Sequence, residues 1–387
     1  MKRLDIAIAG AGMGGLTAAI ALQQHGHRVR IFDRVRTLAP VGAAISVWSN
    51  GVKVLDRLGL GPAIDAASGD MQSMSYATHE GQPLTQFSLD PLYQAVGRAA
   101  KPIARSELQR ILLEGAGDEH VTLEATCERY SQSEDAVTLQ FADGTSTTAD
   151  MLIAADGTHS RLRQQVMQRP IERQYCGYVN WNGRVTANDD LAPAHEWKQF
   201  VGDGKRVSLM PMGNGCFYFF LDVPLPAGTP NNPAEYRSEL AEHFAGWAAP
   251  VQRLIERLDP TTMARVEIHD IERLDPLVDK RVALIGDAAH ATAPDLGQGG
   301  CQAMEDGWVL SECLKACNGD VEKALLAYND ARVDRVAELV SRARKRCDIT
   351  HGKDPAATRA WYQELASEDG SNIMGGMQKT IDGGPLA

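Results

Sequence analysis

Short apolar runs along this chain stop at glycine or acid and give way to segments of helical spacing. "LDIAIAG" leads into "AGMGGLTAAIALQQHG", an alanine-rich helix pattern stopped at Gly26. "HRVRIFD" ends at Asp33, and "ADMLIAADG" ends at Asp156-Gly157. "RVALI" opens the loop "GDAAHATAPDLGQGG", residues 286–300, ahead of the helix pattern "CQAMEDGWVLSECLKAC". The segment "VTLEATCERYSQSEDAVTLQFADGTSTTADMLIAADG" reads as a meander with a hairpin turn at Asp143-Gly144. From residue 171 to 270 the pattern changes to aromatic-rich alternation with a period of two, broken by turns such as "GDGK" and "GNG". After residue 271 the chain is mostly helical, and "DVEKALLAYNDARVDRVAELVSRARKRCDIT" carries mixed charge on a solvated face.

These patterns predict an α/β fold: a Rossmann-type nucleotide-binding domain (1–170 and 271–387) with an inserted antiparallel β-sheet domain (171–270) and a helical C-terminal segment. In Gly10-x-Gly12-x-x-Gly15 the first glycine permits a tight turn, the second lets backbone approach a pyrophosphate, and the third allows close helix–strand packing. Phosphates then meet free N–H groups at a helix N-terminus. Asp33 is placed to accept hydrogen bonds from a ribose.

In the inserted sheet, alternation puts Tyr178, Asn180 and Asn182 on one face of "GYVNWNG". Arg206 and Ser208 share a face of "KRVSLMP", with Val207 and Leu209 opposite. Tyr218, Phe220 and Asp222 share a face of "CFYFFLDVP". An arginine, an amide and a phenol among rings suit a flat, anionic heterocycle. The competing reading makes Arg206 a surface residue beside the "GDGK" turn. His290 reads as a packing and hydrogen-bonding residue of its loop rather than a base.

Composition narrows the classes. The chain has 387 residues and a formal net charge of −11, which argues against nucleic-acid and anionic-membrane partners. No run approaches membrane-span length and no signal peptide is visible, so a cytoplasmic protein with seven reduced, scattered cysteines is expected. No metal site is expected. Monomer and homodimer both remain open.

The fingerprint, the Asp156-Gly157 strand and "GDAAH", taken together and in this order, resemble the FAD-dependent aromatic hydroxylases, the single-component flavin monooxygenases. Within them, "VGAAISVW", "GYVNWNG", "GKRVSLMP", "FYFFLDVPLPAG", "EIHDIE", "PDLGQGGC", "KRCDITHGKD" and "WYQEL" resemble the FAD-dependent urate hydroxylases. The resemblance implies non-covalent FAD held by Gly10, Gly12, Gly14, Gly15, Asp33, Arg34, Ser46, Arg105, Cys127, Asp156, Asp287, Gly297, Gln298, Gly299, Gly300 and Cys301. Asp287 would meet the ribityl chain, and the 297–300 backbone the flavin ring. Asp33 stands where the family more often has glutamate. Asn180, Arg206, Tyr218, Phe219 and Phe220 would contact substrate, with Arg206, Tyr218 and Asp295 serving the chemistry. The implied reaction is 5-hydroxylation of urate with NADH and O2 through a flavin C4a-hydroperoxide. Hydroxylation of an aromatic or pyridine carboxylic acid, such as salicylate or 6-hydroxynicotinate, is the alternative. A FAD dehydrogenase without oxygen insertion is a further one.

Overall fold

The structure, a computed structural model, describes residues 2–38 and 43–386. The first two residues of "VGAAISVW" lie outside them. One sheet runs in the order Val278–Asp279, Val282–Leu284, Met151–Ala154, Asp5–Ala9, Arg28–Phe32, Val121–Thr122. Every neighbouring pair is parallel except the first. Its four central strands are the four that end in the fingerprint, Asp33, Asp156-Gly157 and Gly286-Asp287. Because parallel strands end at the same edge, those four loops gather in one crevice, where ligands of open α/β sheets bind.

Two helices, Met13–Gln24 and Gly299–Ala316, pack closely over that edge. A side chain on Gly14 would stand 3.2 Å from the Ala303 methyl, and one on Gly307 only 2.7 Å from the Ala18 nitrogen. The contact requires small residues on both helices. The expected meander is present as Cys127–Gln132, Val137–Phe141 and Ser146–Ala149, with Asp143-Gly144 in the second turn.

The second sheet has seven strands: Ala264–Ile271, Arg173–Thr186, Cys216–Pro224, Lys205–Met212, Glu196–Gly202, Ser73–Thr78 and Pro83–Ser88. It is antiparallel apart from the pairing of Glu196–Gly202 with Ser73–Thr78. Two strands therefore come from residues 73–88, well before residue 171, where the sequence pattern begins to announce this sheet. A long-range parallel pairing leaves no trace in local periodicity.

The outer face of this sheet is sealed by the helices Tyr236–His243 and Ala249–Arg257. Trp181, Val207, Leu209, Phe219 and Leu221 form a core there with Leu240, Phe244 and Leu254. The inner face turns towards the nucleotide-binding half, and Tyr178 packs with Ala293, Ala343 and Cys347. The long helix Val321–Thr350, capped by Asp320, braces both halves. Among the described residues no helix is long and apolar enough to cross a membrane.

Candidate active site

At the fingerprint, Gly10 has φ +114°, and a Cβ there would lie 2.2 Å from the Ala155 carbonyl oxygen. Glycine is required because the loop crosses the end of the Asp156 strand. A Cβ on Gly15 would lie 2.0 Å from the Gly10 carbonyl oxygen, which is the close helix–strand packing that the spacing predicted. Gly12 is different: a Cβ there would meet nothing within 4 Å. It is the N-cap of Met13–Gln24 and no side chain caps that helix. An uncapped N-terminus beside open space fits a pyrophosphate.

The acids divide by use. Asp33 accepts from the Ala11 amide at 2.7 Å and the Val35 amide at 3.1 Å, so it shapes the fingerprint turn. Asp156 accepts from the Ser160 hydroxyl at 2.6 Å and the Arg161 amide at 2.9 Å, closing its own loop. Asp287 is exposed, and its carboxylate has no hydrogen-bond donor among the described residues. Arg34 is exposed at the end of its strand, and Arg105 begins the helix Arg105–Ala116 close enough for its charge to act on Tyr218.

The 286–300 loop ends in the uncapped N-terminus of Gly299–Ala316, where the first-turn amides have no intrahelical acceptor. A Cβ on Gly297 would lie 2.7 Å from the Trp48 indole nitrogen and 3.2 Å from the Ser46 hydroxyl, so both face this segment. That indole N–H is buried and has no partner. Some expected side chains are committed elsewhere. Gln298 accepts from Asn50 at 3.0 Å, and the buried Cys301 sulfur accepts from the Trp48 amide at 3.3 Å. Burial pushes the Cys127 and Cys301 thiols up to about 12, so both stay neutral. His290 bonds Asp306 at 2.6 Å in the core, as its loop-packing role anticipated.

In the substrate sheet, register decides the site. Asp222 lies opposite Asn180 on one neighbouring strand and opposite Arg206 on the other. The next row on this face is Asn182, Phe220 and Ser208, and the third includes Tyr218. Asn180 donates to Asp222 at 2.6 Å, and Asn182 donates to Asn180 at 2.8 Å. Arg206 donates through Nε to Asp222 at 2.8 Å and through Nη2 to Asp295 at 3.1 Å. It is 7% exposed, which excludes the surface-hairpin reading. Its guanidinium carbon stands 5.0 Å from the Phe220 ring centroid. Nη1 has no acceptor among the described residues and is not fully enclosed.

Phe219 corrects an expectation. It is 1% exposed and belongs to the opposite, outer face, where its ring covers Gly183. Alternation alone places it there, since Tyr218 and Phe220 point inward. Two residues outside the expected set join the array instead. Tyr178 donates to Asp295 at 2.9 Å, and His351 lies 3.3 Å from the other Asp295 oxygen. Tyr178 shares the face already read for Asn180. His351 follows a long helix within "KRCDITHGKD", and hydrophobic periodicity gives it no role.

Burial would raise the Asp295 pKa, but Arg206, His351 and Tyr178 hold it well below the usual carboxylate range. Burial pushes the Tyr218 phenol well above its ordinary value. Asp295 is therefore an anion with its lone pairs engaged, and Tyr218 is a neutral hydroxyl with no partner among the described residues.

The FAD binding domain family model matches residues 3–343. The FAD-dependent urate hydroxylase of Klebsiella pneumoniae is 51% identical over 380 residues, covering 98% of this chain and 99% of that protein. The chain belongs to the FAD-dependent urate hydroxylase family. A urate hydroxylase of Mycolicibacterium vanbaalenii is 48% identical over 386 residues, covering 99% and 98% of the two chains. The solved structure of Klebsiella pneumoniae HpxO with FAD and uric acid superposes with a TM-score of 0.97 at 49% identity, covering 99% and 98%. Family membership makes this chain an FAD-dependent oxidoreductase.

Proposed function

We propose that this chain hydroxylates urate at C5 to 5-hydroxyisourate, using NADH and O2. The observation that carries the reading is the buried Asn180–Asp222–Arg206 row, which leaves Arg206 Nη1 without an acceptor among the described residues. Two carboxylates fix the guanidinium plane, and Phe220 lies against it. The remaining N–H groups meet an anionic edge of a planar ring, and the Asn180–Asn182 amides line the same face. Tyr218 stays protonated and donates to a substrate oxygen. Asp295 does not serve as the proton donor; it positions Arg206.

Gly12 and the uncapped helix N-termini at Met13 and Gly299 would hold FAD, with Asp287 available to its ribityl chain and Ser46 and Trp48 beside the ring segment. Bound and reduced FAD supplies activation of dioxygen. The protein's part is to orient urate and keep water away from the reacting face. The NADH reading is supported by a cleft beside the Asp156-Gly157 loop, lined in part by the basic residues Arg163 and Arg173.

Purified holoenzyme mixed with urate should oxidise NADH rapidly, consume oxygen and release little peroxide. Salicylate and 6-hydroxynicotinate should stimulate it weakly. Efficient turnover of either acid with urate inert would reject the proposal.

A further inference from the structure

The proposed urate site contains two carboxylates with buried side chains, Asp222 and Asp295, and one buried guanidinium, Arg206. Left so, it would carry a surplus negative charge against a substrate proposed to be an anion. His351 supplies the balance. It is 5% exposed, and its ring stacks on Tyr178 with centroids 3.7 Å apart and planes at 20°. Nε2 lies 3.3 Å from the Asp295 carboxylate, and Nδ1 lies 3.3 Å from the Gly204 carbonyl oxygen. Both neighbours are acceptors. A neutral imidazole has one N–H and satisfies only one of them, whereas an imidazolium donates to both.

We infer that His351 is a positioning residue: as an imidazolium it neutralises the Asp222–Asp295–Arg206 array and pins Asp295 to the hairpin that presents Arg206. This rests on the urate reading above. Gly204 is the turn residue two positions before Arg206, and the His351 backbone lies against it, since a Cβ there would come within 3.1 Å of the His351 carbonyl. One side chain thus ties the hairpin tip to the Pro294–Leu296 turn. When the proton leaves, Asp295 has Arg206 as its sole cation. The guanidinium is drawn to it, and the wall turns negative towards urate.

Around His351 the other groups are fixed in charge or turned away. Of the cations, Arg206 is held charged by its two carboxylates, and Lys205 is turned away to the His243 carbonyl. Asp295 is held well below the usual range. Burial raises the phenols of Tyr178 and Tyr362, and the neighbouring Cys176 thiol together with burial raises Cys347.

The test compares wild-type holoenzyme with His351→Gln, which keeps one amide donor for Asp295 but carries no charge. Urate KM and kcat are measured over about pH 6 to 9. Wild type should show a KM that rises with pH along a one-proton limb while kcat changes little. The variant should show a KM about tenfold higher at the acid end and flat across the range. A limb that persists in the variant, or equal KM values at the acid end, overturns the inference. A second measurement needs no substrate. If the His351–Asp295 contact is an imidazolium–carboxylate pair, removing its proton removes that pair, which the variant lacks at every pH. The Tm gap between wild type and variant should therefore be wider near pH 6 than near pH 9. A closing gap with urate inert retains the charge role and rejects the functional reading. A gap independent of pH overturns the charge role even if urate is turned over.

Discussion

Two buried ionic arrays sit in this molecule, and they differ in one respect. In the nucleotide-binding half, Arg332 is 1% exposed and every nitrogen of its guanidinium is taken. Nε donates to Asp306 at 2.7 Å, Nη1 to Glu305 at 2.6 Å and Nη2 to Gln302 at 2.8 Å. Asp306 also accepts from His290 and from the Gly286 amide, and Glu305 accepts from Arg335 and Asn50. This array locks the "GDAAH" loop to the helices Gly299–Ala316 and Val321–Thr350. In the substrate sheet, Arg206 is also buried and bonded to two carboxylates, but its Nη1 has no acceptor among the described residues. A saturated buried ion network gives shape, whereas one short of an acceptor gives recognition.

Breaking the saturated array should have the largest effect. Arg332→Met leaves Glu305 and Asp306 facing each other with less compensation and should cost about 3–5 kcal/mol of stability. Chemical denaturation of the holoenzyme would show it, and a loss below about 1 kcal/mol would mean that Arg335 and His290 suffice.

Breaking the open array should chiefly alter chemistry. Arg206→Gln removes the charge and the fork, weakening urate binding about ten- to hundredfold. Urate should still stimulate NADH oxidation, with most electrons recovered as peroxide because the ring is poorly aligned. Normal coupling in this variant would remove Arg206 from the site. A lowered Tm is expected as well, since Asp222 and Asp295 lose their shared cation.

Acid should dissolve the saturated array along a defined course. Burial would raise the Asp306 pKa, but His290, Arg332 and the Gly286 amide hold it down to about 2. A depressed carboxylate contributes stability above its unfolded value, near 3.9, and loses it as pH falls towards the folded one. On the order of 2 kcal/mol should disappear between about pH 4 and pH 2. The Asp306→Asn variant should show a correspondingly shallower acid limb in its unfolding free energy.

The smallest effect separates the two faces of the substrate sheet. Phe219→Leu should lower stability by about 1 kcal/mol and leave urate KM unchanged, since that ring fills the outer core. Phe220→Leu should leave Tm nearly unchanged and raise urate KM. The reverse assignment would mean that the strand is inverted.

Much of this molecule is legible in its sequence. The Gly10–Gly15 spacing, the acid-ended strands and the 286–300 loop announced the nucleotide crevice, because each is a local solution to bringing backbone near phosphate. Period-two alternation told which of Arg206, Ser208, Tyr218, Phe220 and Asp222 share a face, and the same rule placed Phe219 outward once strand direction was known. These properties belong to short stretches of chain, where covalent geometry dictates which way a side chain points.

What only the tertiary structure decided is which faces meet. Asp222 stands between Asn180 and Arg206 because three strands adopted one register, and a two-residue slip would have kept the alternation while separating all three. Ser73–Thr78 joined the sheet through a pairing across more than a hundred residues of chain. His351 reached Asp295 from the end of a 30-residue helix. Contacts of this kind are set by packing the whole core, and they then set the chemistry: Arg206, His351 and Tyr178 hold Asp295 ionised against its burial, burial keeps Tyr218 protonated, and two carboxylates fix Arg206 with Nη1 unpaired.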